Sequence, residues 1–448
     1  MRKIRIGEGA GYSGAWIEPA KELAEKGDLQ YLTFEALAER TIALRQLERS
    51  KDPSLGYDPW LEERMRAVLV PALRQGIRIV TNMGGANPFQ AGKRVLATAR
   101  QIGLSSLKVA IVEGDHVLDL IQGGGYRVLE TGEPIEALAD RTISANAYLG
   151  ARPIAEALAT GADVVITGRV ADPALLLGCL IHEFGWSLED WPLLGCGVLA
   201  GHLTECSAQV TGGYFGDPGY KDVSHIARIG YPIAEVGEDG GCLITKVPGS
   251  GGAVTELTCK EQVLYEVQDP SAYITPDVTA DFSKVHCLQV GPDQVRVGGA
   301  SGHKRPDALK VSVGLRHGFM GEGQISYGGP GAVHRAKMAA DIIRERLEIA
   351  GLGANKKKID LIGIDSLFGQ STSPEIPDPG EVRLRVAVRT ETQEDARRVG
   401  REVEALWIMG PAGGGGAAGQ VKEVVNVVSL LLPRELVEGR IRISVDEL

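Results

Sequence analysis

Ile77-Arg78-Ile79-Val80-Thr81-Asn82-Met83-Gly84-Gly85-Ala86-Asn87-Pro88 decides how the first half of this chain folds. A short apolar run, a polar glycine turn and a proline at a helix start make a strand that passes directly into a helix, here spanning Pro88 to Gln101. The same grammar recurs on both sides. Ile4-Arg5-Ile6 precedes a helix at Glu18–Glu25, and Leu29–Leu32 precedes a helical pattern from Phe34 to Arg49. Leu107–Val112 is another apolar run, and Asp163–Ile166 precedes a helix from Pro173 to Phe184. Continuous apolar strands alternating with helices are the pattern of a parallel sheet buried on both faces. The expectation is therefore an α/β protein with a doubly wound, mostly parallel sheet, forming a Rossmann-like domain over residues 1–190.

Residues 191–300 carry clustered glycines and read as a β-rich, irregular insertion, with β pieces at Gly241–Val247 and Val254–Leu257. From 301 to 448 the order is β-α-β-β-α-β, with strands at Leu309–Leu315, Lys358–Ile364, Val382–Thr390 and Ile441–Val445 and helices at Ala332–Ala350 and Thr392–Met409. That order predicts a C-terminal ferredoxin-like α+β domain.

Composition narrows the function. Lys and Arg number 48 against 58 Asp and Glu, a formal charge of −10, which argues against nucleic acid and anionic membranes as partners. The six cysteines show no C-x-x-C pair, which suits reduced thiols in a cytoplasm, and no apolar run approaches a membrane span. Glycine, at 59 residues, is abundant enough to point to tight strand-to-helix turns.

Ligands of open α/β sheets bind beyond the carboxyl ends of the strands. The residues found there are Gly9, Gly11, Ser13 and Gly14 after the first strand, then Asn82, Gly84 and Gly85, then Glu113 and Asp115, then Thr167, Arg169 and Asp172. The first turn contains G-x-G-x-x-G, which fits a dinucleotide, a CoA or other phosphate or carboxylate anchor, or a purely structural turn. No P-loop occurs. Arg169 suits a bidentate grip on a carboxylate or phosphate, or an internal ion pair with Asp172. The acids could act as general acid and base or hold a hard divalent ion, or serve as caps. A second constellation, His202, Glu205, Cys206 and Gln209, falls on one face if 202–209 is a helix. Glu205 is the favoured acid or base there. Cys206 is secondary, being as a type more often a buried apolar group than a nucleophile.

Several motifs in order are shared with one family. Gly9-Ala10-Gly11-Tyr12-Ser13-Gly14, Thr81-Asn82-Met83-Gly84-Gly85, Ile166-Thr167-Gly168-Arg169-Val170-Ala171-Asp172, Gly201-His202-Leu203-Thr204-Glu205-Cys206, and Leu264-Tyr265-Glu266 with Asp269-Pro270 and Thr275-Pro276-Asp277-Val278 resemble the acyclic terpene utilisation family, AtuA. The resemblance implies a bacterial or archaeal cytosolic protein of branched acyl-CoA catabolism, as in breakdown of citronellol- and geraniol-type compounds. Longer members of that family carry a further ferredoxin-like C-terminal domain, so a separate small partner subunit is an expectation here, as is a homo-oligomer. Two function classes follow. One is a lyase, hydratase or hydrolase acting on an acyl-CoA thioester or small polycarboxylate, with CoA entering as part of the substrate and no assured cofactor. The other is a non-catalytic acyl-CoA-binding or scaffold subunit. An NAD-linked oxidoreductase rests on the glycine turn alone.

Overall fold

Five buried strands run parallel at the centre of the computed structural model, which describes residues 2–353, 355–367, 369 and 379–448. They are β1 (Lys3–Glu8), β2 (Tyr31–Phe34), β3 (Arg78–Thr81), β4 (Lys108–Glu113) and, after β5 (Thr142–Ala147), β6 (Val164–Thr167), in the spatial order β1-β2-β3-β6-β4. Helices α1 (Glu18–Lys26), α2 (Glu39–Lys51), α3 (Leu61–Gln75), α4 (Pro88–Gln101), the short α5 (Leu118–Ile121), α6 (Arg152–Ala159), α7 (Ala174–Phe184) and α8 (Trp191–Glu205) connect or follow them. One face packs Leu23 of α1, Met65 and Leu69 of α3 and Val95 of α4 against Leu32, Ile79, Val109 and Ile166. The other face receives α6, α7 and α8. Coverage on both faces explains why β2 and β6, Tyr-Leu-Thr-Phe and Val-Val-Ile-Thr, are buried throughout. The chain steps from β1 to β2 to β3, skips a position to β4, then returns to fill the gap with β6. That reversal opens a crevice at the carboxyl edge.

Antiparallel strands extend this sheet to ten. On the β1 side come β7 (Pro232–Gly237), β8 (Cys242–Lys246), β12 (Gln294–Gly298) and β11 (His286–Gly291). On the other side β18 (Arg442–Glu447) pairs with β4, so the strand expected at 441–445 belongs to the large sheet. A three-stranded sheet holds β9 (Tyr273–Ile274), β10 (Thr279–Asp281) and β13 (Ser301–His303). Where a strand was expected over Val254–Leu257, α9 (Glu256–Leu264) begins instead. Thr255 and Thr258 form a reciprocal capping box there, which outweighs the β-branched residues around it.

The helix expected from Phe34 starts only at Glu39. Backbone amides of 35–37 are taken by side chains, Glu35 N by Glu8, Ala36 N by Asn82 and Leu37 N by the Glu35 carboxylate, so these residues form a loop at the sheet edge. The helix expected over 202–209 is the end of α8, which stops at Glu205; Ser207–Gln209 turns as a short 3-10 segment.

The chain divides into two units, Met1–Gly314 with Val427–Leu448, and Leu315–Asn426, so the expected boundaries near 190 and 300 both fall inside the first. The second unit contains most of β14 (Ala308–Gly328), α10 (Ala332–Ile349), β15 (Lys357–Ile362), β16 (Glu381–Thr390), α11 (Gln393–Glu404), the short α12 (Leu406–Met409) and the first part of β17 (Gly414–Pro433). Its sheet has the order β15-β16-β14-β17, and Ile325, Leu384 and Val386 form its core with Ala336, Ile343 and Val399 of the helices. The unit boundaries cut β14 and β17 in mid-strand, and α13 (Arg434–Glu438) follows β17 in the first unit.

Candidate active site at the carboxyl edge

Arg169, two residues beyond β6, is fully buried. The turn that places it needs Gly168, because a Cβ there would lie 2.5 Å from an oxygen of Asp115. Asp115 accepts from the Arg169 backbone N–H at 3.0 Å and from Asn146 Nδ2 at 2.8 Å, which fixes the turn to β5. The guanidinium lies 4.1 Å over the ring of Tyr148. Its Nη1 donates to Asp172 Oδ1 at 2.8 Å and to the carbonyl oxygen of Leu37.

Around Arg169 the fold gathers an excess of acids. Glu35 accepts from Asn82 Nδ2 at 2.9 Å, and burial, with repulsion from Asp172, pushes its pKa up to about 8 against the pull of Arg169. Glu39 behaves in the opposite way. Burial works against its charge, but Arg169, the Tyr148 hydroxyl that donates to it, and Lys310 Nζ at 3.2 Å together hold it at about 2. Asp172 is raised by burial, with Arg169 opposing and Glu39 adding to the rise. Burial also lifts Glu205 well above the usual range, helped by Asp172 and Glu266. His202 Nδ1 lies 2.8 Å from Glu205 Oε1. Burial between Tyr273 and Phe282 lowers the imidazole to about 4. Near neutral pH, Glu35 thus holds a proton, His202 is uncharged, Glu39 and Arg169 carry charge, and burial drives Glu205 toward its protonated form. Arg169 Nε and Nη2, Glu205 Oε2 and His202 Nε2 have no hydrogen-bond partner among the described residues.

A cavity of about 320 Å³ opens beside this cluster, at the lower end of the range usual for small-molecule sites. Pro173, Ile274, Pro276, Leu309 and Leu431 give it apolar walls, while Glu39, Tyr148, Asp172, Glu266, Tyr273 and Lys310 supply polar groups. Asp172 joins the two. One oxygen is held by Arg169, and 36% of the side-chain surface stays open at the cavity. A carboxylate so placed can take or give a proton, with the Glu205 acid in electrostatic contact behind it.

The residues expected at this edge divide into two groups. Arg169, Asp172, Glu205 and His202 meet at the cluster, and Asn82 and Asp115 shape the loops that carry it. Thr167 is buried, its hydroxyl donating to the Gly168 carbonyl oxygen at 3.0 Å. Gly84 allows close backbone approach, since a Cβ would stand 2.4 Å from the Thr167 carbonyl oxygen, and Gly85 has φ +56°. Glu113 lies opposite Arg442 in the β4–β18 pair. The Cys206 thiol is pushed up by burial and by Glu205, away from thiolate.

The glycine turn is packed against protein. Gly9 N–H donates to the Thr33 carbonyl oxygen at 2.7 Å, and a Cβ on Gly11 would come within 2.5 Å of the Cys206 carbonyl carbon. The Ser13 carbonyl oxygen accepts from Arg64 Nη2 at 2.7 Å. Gly14 precedes by four residues the start of α1 at Glu18, so the turn is not that helix's first turn.

Glu35, Glu39, Tyr148, Tyr273 and Lys310 are not among the residues the strand ends pointed to. Glu266, Thr275 and Pro276, which line the cavity, do stand within the 264–278 motifs. Among the described residues no group of three or more His, Cys, Asp or Glu is placed to hold a metal ion, and no helix is long and apolar enough to cross a membrane. Residues 4–443 match the family described as acyclic terpene utilisation family protein AtuA. No curated protein and no solved structure matches the chain significantly.

Proposed function

Because the chain belongs to the acyclic terpene utilisation family AtuA, we propose that it is a catabolic enzyme acting on a branched, acyclic acyl group presented as a CoA thioester, by lyase, hydratase or hydrolase chemistry. The observation that carries this reading is the junction of an apolar cavity with Asp172, whose other face is held by Arg169. Pro173, Ile274, Leu309 and Leu431 suit a branched hydrocarbon better than a small polycarboxylate, which Glu39, Asp172 and Glu266 would repel. In this reading Arg169 positions Asp172, which takes a proton from the substrate or from water, while Glu205, backed by His202, gives one to the departing group and regains it from Asp172 at the end of the turnover. General acid–base catalysis of this kind contributes about 10²–10⁴-fold.

The element order of Leu315–Asn426 and its strand order β15-β16-β14-β17 support reading that unit as ferredoxin-like, with β17 as the last strand.

The full chain is to be mixed with CoA thioesters of saturated and unsaturated branched acids and with dicarboxylates, and followed by product mass spectrometry and thermal stability. Turnover of a branched thioester that Asp172→Asn removes is expected. Stabilisation by thioesters without turnover would favour the scaffold reading, and stabilisation by dicarboxylates alone would overturn the apolar-cavity argument.

A further inference from the structure

We propose that two copies of this chain pair edge to edge through β17 and α11 of the second unit, about a two-fold axis passing near Gly400 and Gly419. β17 is the last strand of its sheet, and from Gly414 to Asn426 it has no further strand on its outer side among the described residues. Proteins usually blunt such an edge with proline, charge or a covering segment, since its unpaired N–H and C=O groups recruit another strand. Here the stretch contains no proline, and Lys422 and Glu423 are its only charges.

α11 lies directly beside that edge, close enough that a Cβ on Gly400 would be 3.6 Å from the Gly419 Cα. Together they border a groove of about 480 Å³ whose charged residues are Arg397, Arg401 and Glu404. These three are exposed and fall on one row of the helix.

Charge selects the occupant. A two-fold axis makes the contact isologous, so the same patch must complement itself. With the two α11 helices antiparallel across the axis, residues whose numbers are symmetric about Gly400 and Arg401 oppose each other. Arg397 then faces Glu404 of the partner subunit, and the pair occurs twice, against a single like-charge approach of Arg401 to Arg401 of the partner subunit near the axis. Ala417, Ala418 and Gly419 carry no bulk that would hold the two β17 strands apart. Trp407, Ile408 and Met409 of α12 are 62%, 87% and 80% exposed, an apolar run of the kind found at contact surfaces.

Sedimentation of the full chain over a concentration series tests this. The wild type should approach about twice 47.6 kDa. Arg397→Glu and Glu404→Arg should each weaken the dimer at least about tenfold, the equivalent of ~1.4 kcal/mol, because each replaces two attractions by two repulsions. The double variant Arg397→Glu/Glu404→Arg should recover the wild-type constant, which also shows that the single variants did not act through misfolding. A wild type that stays at 47.6 kDa at every concentration overturns the proposal. So does a dimer indifferent to both single reversals, or a natively folded double variant that remains dissociated.

Discussion

Two arginines are completely buried at the carboxyl edge of the large sheet, and they are used in opposite ways. Arg64 of α3 directs Nη2 to the carbonyl oxygens of Ser13 and Ala15, at 2.7 and 3.0 Å, and Nη1 to one oxygen of Asp58 at 3.3 Å. It has one carboxylate and two backbone partners, and its work is to pin the glycine turn after β1. Arg169 has one carboxylate in direct contact, several more within electrostatic reach, two unused nitrogens and a cavity next to Asp172. Burial alone therefore does not mark a functional arginine. What sets Arg169 apart is the surplus of acid around it and a carboxylate partner that stays open to a cavity.

This contrast predicts different failures. Arg64→Met should produce the largest change in stability, about 3–5 kcal/mol, because it strands the Asp58 charge in the interior. Urea denaturation measures it, and a loss below about 1 kcal/mol would remove Arg64 from the structural side of the comparison. Asp172→Asn should instead cost about a hundredfold or more in turnover of whatever branched thioester the wild type accepts. Its stability should change by no more than about 1 kcal/mol, since the amide oxygen can still accept from Arg169 and the Glu39 charge remains beside the guanidinium. A stability loss as large as that of Arg64→Met would make the two arginines equivalent.

The comparison is sharpened further by pH. Glu35 titrates at about 8 in the folded chain and at the ordinary carboxyl value of about 4.3 when unfolded. Between those values the folded state binds the extra proton, so stability falls as pH rises through this window, by up to ~1.4 kcal/mol per unit. Glu35→Gln, which carries no titrating carboxyl, should therefore be more stable relative to wild type at pH 8 than at pH 4. Thermal unfolding at both values reads the difference, and an equal effect at the two would show that Glu35 is not held protonated.

How much of this was legible depended on whether the signal was local. Strand-then-proline signatures exposed α4 over Pro88–Gln101 and β3 within one residue of the expected run, and Arg169 and Asp172 followed from their position after an apolar run. β17 escaped because its first half is glycine and alanine, and α3 because Pro71 interrupts its interior without ending it. Glu39, Tyr148, Tyr273 and Lys310 come from four separated segments, and nothing local to any of them announces the others. Glu205 was legible as an acid in an apolar helix. Its neighbour Cys206 shared the motif but falls at the helix end, where burial raises the thiol.

The mid-strand unit boundaries also bear on how the molecule comes into being. The second unit is one continuous stretch, so everything it needs is available once residue 426 has been made. The first unit is interrupted. Its β4 edge remains unpaired until Arg442–Glu447 arrives, some 330 residues later. Pairings that distant in sequence close slowly. During synthesis, then, the sheet that carries the Arg169 cluster is among the first parts made and the last to be completed, and the open side of β4 is where a waiting chain would most need protection from strangers.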